Sequence, residues 1–125
     1  MKNYGTYTTE QLPEIEIVRS GNIYQIMFNF EDVEHIDEEG IESDSQKHYM
    51  CDLIEVATLD YASIVSAIIR EKYSQDDVEA ILSNYQLCKD GEAGEDRCIR
   101  YEEDYNAYQD YRAMAKQVAN QIINL

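Results

Sequence analysis

Tryptophan is absent, phenylalanine occurs twice and proline once, at Pro13. Without tryptophan, a glycan-binding module would have to rely on exposed tyrosines alone. No apolar run approaches the roughly 20 residues that span a bilayer. The opening residues, Met1-Lys2-Asn3-Tyr4-Gly5-Thr6, hold no hydrophobic stretch of the kind a secretory signal needs. The expected compartment is therefore a reducing cytoplasm, unless lysis or assembly releases the protein later. Basic residues are scarce: 10 against 26 acids, for a formal net charge of -16. Of these, 13 acids and only 3 bases fall in residues 1–59. So acidic a surface repels phosphate backbones and anionic lipid heads. Nucleic acid and membranes are thus not expected partners, because binding either depends on Lys and Arg. A basic protein partner, a divalent cation or plain solubility remain as readings of the charge.

Reactive constellations are equally sparse. The three cysteines, Cys51, Cys88 and Cys98, are odd in number and irregularly spaced, which is not a disulfide framework. Cys88 and Cys98 could bridge the loop between them on oxidation. Zinc needs converging Cys and His ligands. His48 and Cys51 lie in an expected strand, which points them to opposite faces, and the nine residues between Cys88 and Cys98 are not knuckle spacing. An EF-hand needs glycine at position 6 and glutamate at position 12. Counting from Asp90 these are Glu95 and Tyr101, and counting from Asp37 position 6 is Glu42. The two histidines are His35 and His48, and no nucleophile elbow, P-loop, dinucleotide fingerprint or zincin motif is present. No catalytic, cofactor-binding or metal-ligating residue is assigned, and a non-enzymatic protein is expected.

The chain of 125 residues is long enough to bury a core without staples. Its hydrophobic rhythm changes near residue 59. Residues 1–13 are polar and threonine-rich and read as an extended arm. Glu-Ile-Glu-Ile-Val-Arg at 14–19 alternates as a half-buried strand does. Ser20-Gly21-Asn22 is turn chemistry, and Tyr24, Ile26, Phe28 and Phe30 then share one face of a second strand. Together these make a β-hairpin. Residues 31–45 hold eight acids and no Lys or Arg, and read as a loop or distorted hairpin centred on Glu39-Gly40, with residues 46–57 forming a third strand. Beyond 59 the spacing is helical. One helix is capped by Asp60, with Tyr61, Ile64, Val65, Ile68 and Lys72 at helical spacing and Ile69 flanking the stripe. A second is capped by Ser74, with Val78, Ile81, Leu82 and Tyr85 on its stripe. After a loop at 88–98, a long helix runs from about Ile99 to Ile123, its stripe of Tyr101, Tyr105, Tyr108, Ala115, Val118 or Ala119, and Ile122 interrupted by Arg112. The expected class is α+β, a small antiparallel sheet over 14–58 packed with a three-helix region over 59–125 in one compact domain.

Of the eleven tyrosines, Tyr101, Tyr105, Tyr108 and Tyr111 cluster on one helix. Packing within the fold is one reading. The other is an interface, where tyrosine supplies large contact area at low entropic cost. Tyr4 and Tyr7 on the arm are further candidate anchors for a partner.

Three stretches, Lys2-Asn3-Tyr4-Gly5-Thr6-Tyr7-Thr8-Thr9, Ile64 through Ile81, and Tyr108 through Lys116, resemble small accessory proteins encoded in phage and prophage tail or virion modules of Bacteroidales-type bacteria. They cover about a third of the chain. The resemblance implies a setting in the bacterial host cytoplasm or on the virion. The expected partners are phage structural proteins or further copies of the chain, and no catalytic residues transfer with it. The alternative function is an acidic inhibitor that mimics DNA's charge to block a host nuclease or DNA-binding protein.

Overall fold

The computed structural model describes residues 1–7, 11–33 and 47–125. The fold is α+β, with strands in the N-terminal half and helices in the C-terminal half. It divides into two compact units, Met1–Leu59 and Asp60–Leu125. Most of the expected acidic loop, with its centre at Glu39-Gly40, and His35 lie outside the described residues.

The first unit is a four-stranded antiparallel sheet of β1 (Lys2–Tyr7), β2 (Ile15–Ser20), β3 (Ile23–Val33) and β4 (Lys47–Val56), in the order β1-β4-β3-β2. The hairpin β2–β3 turns through Gly21 and Asn22. Gly21 has φ of 64°, a value that glycine reaches without steric cost and that two-residue hairpin turns demand. One face carries the buried Ile26, Phe28, Ile54 and Val56.

Three expectations change here. The arm is a strand over Lys2–Tyr7, bonded along β4 from Lys2 opposite Asp52 to Tyr7 opposite Lys47. Polar Asn3, Thr6 and the glycine between them concealed the alternation. The acidic stretch begins as strand, since Glu31, Asp32 and Val33 complete β3. Phe30 does not share a face with Phe28. Between Phe28 and Glu31 the register shifts, and Asn29 takes φ of 54°. Such a bulge sets two residues of one strand against one of the other. Phe30 therefore joins the opposite face, where its ring lies 5.2 Å from that of Tyr49. The Asn29 side-chain Nδ2 donates to Asp52 Oδ2 at 3.0 Å.

The second unit contains α1 (Tyr61–Lys72), α2 (Gln75–Lys89) and α3 (Glu95–Ile123), with α1 and α2 both packed on α3. Asp60 caps α1, its Oδ2 accepting from the Ser63 amide at 3.0 Å. At α2 the Ser74 hydroxyl accepts from the Asp77 amide and the Asp77 carboxylate accepts from the Ser74 amide, a reciprocal box. Those bonds, the backbone one first, hold the Asp77 carboxyl below its ordinary range. Ser74→Ala is expected to cost about 1 kcal/mol of stability, read as a shift in the urea midpoint. Helix α3 starts four residues before the expected Ile99. Gly94 caps it, and Glu95 and Asp96 occupy the first turn, where carboxylates oppose the positive end of the helix dipole. At 29 residues it is about 43 Å long. Buried Ile64, Ile68 and Ile69 of α1, Val78 of α2, and Tyr108, Ala115, Val118, Ala119 and Ile122 of α3 make the core of the unit. Leu82, expected on the α2 stripe, is instead 44% exposed.

Candidate functional site

The tyrosines expected to contact a partner divide sharply. Tyr108 is buried, its ring edge-on to Tyr73 at 5.2 Å. Tyr111 also meets Tyr73, at 5.6 Å, and its hydroxyl donates to the Ile68 carbonyl at 3.1 Å. Tyr105 stacks on Tyr85 at 3.8 Å and 4°. These three pack α3 against α1 and α2, with Tyr108 buried and Tyr105 and Tyr111 half-buried, which favours the packing reading for them. Tyr101 is half-buried. Tyr7 is tied into the sheet, its hydroxyl donating to Asp32 Oδ1 at 2.8 Å and its ring 6.3 Å from that of Tyr49. The Tyr49 ring lies over Gly5, so closely that a Cβ there would collide with it. Of the six, Tyr4 alone is largely exposed, at 68%.

Burial raises the hydroxyl pKa of Tyr7, Tyr49 and Tyr73, aided at Tyr7 by the bond to Asp32, at Tyr49 by Cys51 and Glu16, and at Tyr73 by Asp104 and Tyr108. A raised tyrosine pKa contributes stability that is present below the unfolded value of about 10 and lost as pH rises through the folded value. Ultraviolet titration should therefore show a late-ionising group of tyrosines, and replacing Tyr7, Tyr49 or Tyr73 with Phe should each remove one.

A different feature gathers side chains around open space. Between α1 and α3 lies a cleft of about 340 Å³. Val65, Ile69 and Tyr108 give it apolar walls, and Arg70, Arg112 and Lys116 line it with positive charge. No carboxylate is among its lining residues. Arg112 and Lys116 lie one helical turn apart on α3 and are both half-buried. Neither has an ion-pair partner among the described residues. Arg70 is held in place by the Tyr73 carbonyl and the Gln75 side chain. Sequence reading noted Arg112 only as an interruption of the apolar stripe. Its spacing of four from Lys116, in a chain so short of bases, was the available signal.

A second cleft, of about 370 Å³, opens among Tyr73, Asp77, Asn84 and Asp104. Two of its charged groups, Lys72 and Asp77, are already engaged. The Lys72 ammonium sits 5.7 Å and 5.1 Å from the Tyr73 and Tyr111 ring centres, and Asp77 belongs to the helix cap.

Cys88 and Cys98 are joined by a disulfide, with Cα atoms 5.1 Å apart, and so form one staple despite their irregular spacing. Glu102 Oε1 lies 3.6 Å from Cys88 Sγ and 3.9 Å from Cys98 Sγ. Cys51 is a buried free thiol whose pKa burial pushes up, as befits a small core residue. His48 and Cys51 stand on opposite faces of β4, as expected. No helix among the described residues is long and apolar enough to cross a membrane.

Fold and site thus define an α+β protein whose helical unit carries a cationic cleft. Comparison with protein-family models, curated proteins and solved structures gives no match.

Proposed function

We propose that this chain is a non-enzymatic phage or prophage accessory protein that works by protein–protein contact in tail or virion assembly, using the α1–α3 cleft to seat an acidic segment of its partner. The observation that carries this reading is the cleft lining. Three of the chain's ten bases and no acid surround apolar walls, in a molecule whose net charge of -16 would otherwise repel such a segment. At physiological salt the screening length is about 8 Å, so the local cations outweigh distant carboxylates. Val65 and Ile69 offer burial to an apolar side chain on the same segment, while Arg112 and Lys116 donate to its carboxylates. The phage setting draws on the resemblance, and the stretches that carry it supply Val65, Ser66, Ile69, Arg70, Tyr108, Arg112 and Lys116 of the cleft.

The test is affinity capture from phage-producing cells with the wild type and an Arg112→Glu/Lys116→Glu variant. The wild type is expected to retain tail or virion structural proteins. The variant should bind them roughly 30-fold or more weakly, the scale of losing one partner of a desolvated charge pair. Capture of basic DNA-binding enzymes in their place would favour the DNA-mimic reading. Equal capture by both forms would remove the cleft from the interaction.

A further inference from the structure

We propose that Cys88, Cys98 and Glu102, once the disulfide is reduced, hold one thiophilic divalent cation, of which zinc is the natural representative. Cys88 lies in the last turn of α2, while Cys98 and Glu102 lie four residues apart on α3. That spacing places the two α3 donors on one helical face. Their ligand atoms all fall within 4.8 Å of one another.

The sulfur-to-oxygen distances match those of a tetrahedral ion. With zinc–sulfur bonds of about 2.3 Å and zinc–oxygen bonds of about 2.0 Å, the sulfur-to-oxygen edge of a tetrahedron is about 3.5 Å. Glu102 Oε1 stands 3.6 Å and 3.9 Å from the two sulfurs. The sulfur-to-sulfur edge of about 3.8 Å that follows from the same bond lengths requires the sulfurs to part. Side-chain rotation supplies this across a Cα separation of 5.1 Å. Two thiolates and a carboxylate form a soft, anionic donor set suited to zinc, and water completes the fourth position.

The chemistry balances. A dithiol or phosphine reductant supplies two electrons, two protons complete the two thiols, and the sulfur–sulfur bond breaks. The entering cation then displaces both thiol protons. The two states exclude each other, and each ties α2 to α3. A covalent staple under oxidising conditions is thereby replaced by a metal staple under reducing ones. Sequence spacing alone missed the site because its third ligand is an unremarkable glutamate in an acidic helix.

The test uses the full chain, reduced with a phosphine, freed of reductant without air, and titrated with cobalt(II) alone. The expected result is a thiolate-to-cobalt charge-transfer band that saturates at one ion per chain and is bleached by zinc. Cys98→Ser should abolish it. Glu102→Gln should keep thiolate absorption but weaken affinity by more than the roughly tenfold lost with a ligand's hydrogen-bonding partner. Cys51→Ser and the oxidised protein serve as controls, the first binding normally and the second not at all. Circular dichroism confirms that each variant is folded. The proposal is overturned by the absence of a band in reduced wild type at excess cobalt, by unchanged affinity in Glu102→Gln, or by loss of the band in Cys51→Ser.

Discussion

Replacing Tyr108 with alanine should destabilise the helical unit by about 3–5 kcal/mol, the range for truncating a large buried aromatic. Tyr108 is 7% exposed and stands edge-on to Tyr73, an arrangement that adds to the simple burial of its area. It also walls the α1–α3 cleft, so its loss widens that space instead of allowing the helices to close over it. Against a typical total of about 5–15 kcal/mol, this is a large share. Urea unfolding provides the measurement: the midpoint should fall while the slope stays constant. The contrasting substitution is Tyr4→Ala, at the most exposed of the candidate tyrosines, which should stay within about 0.5 kcal/mol of the parent. Were Tyr108→Ala as stable as the parent, the assignment of that tyrosine to packing would fail.

The second large effect concerns the staple. Cys88 and Cys98 are 10 residues apart, and closing a loop of that order restricts the unfolded chain by about 3 kcal/mol in the chain-entropy model. A Cys88→Ser/Cys98→Ser protein should lose about that much relative to the oxidised parent. The parent reduced in metal-free buffer should fall to the level of the variant. Identical midpoints for oxidised and reduced parent would show that the bond constrains nothing the fold does not already hold. Glycine at 91, with φ of 73°, turns the enclosed segment, so the loop closes without a strained residue there.

The parts of the fold legible in the sequence are those with a local cause. Asp60 and Ser74 announce their helices because a cap needs only a side chain and an amide three residues on. The β2–β3 hairpin is visible because its turn and its alternation lie within sixteen residues of each other. What escaped depends on distant partners. Residues 2–7 become a strand only because β4 lies alongside them, and their own pattern is too polar to reveal it. The tyrosines of α3 stood out by their clustering, yet composition cannot distinguish a ring that faces Tyr73 or Tyr85 from one that faces solvent. The cleft was half legible, since Arg112 breaks an apolar stripe, but its opposite wall of Val65 and Ile69 comes from a helix more than forty residues earlier. Glu102 carried no signal at all until the fold set it beside two sulfurs.

Asn29 leaves β3 out of phase with itself. Tyr24, Ile26 and Phe28 count off in even numbers on their side of the sheet, while beyond the slip Glu31 and Val33 carry on in odd ones. Straightening that slip without removing a residue would therefore leave the first half as it is and turn the remainder inside out. Phe30 would be lifted away from Tyr49, and Asp32 from Tyr7. Deleting Asn29 itself would instead make the ladder regular and keep Phe30 and Asp32 on the sides they now hold.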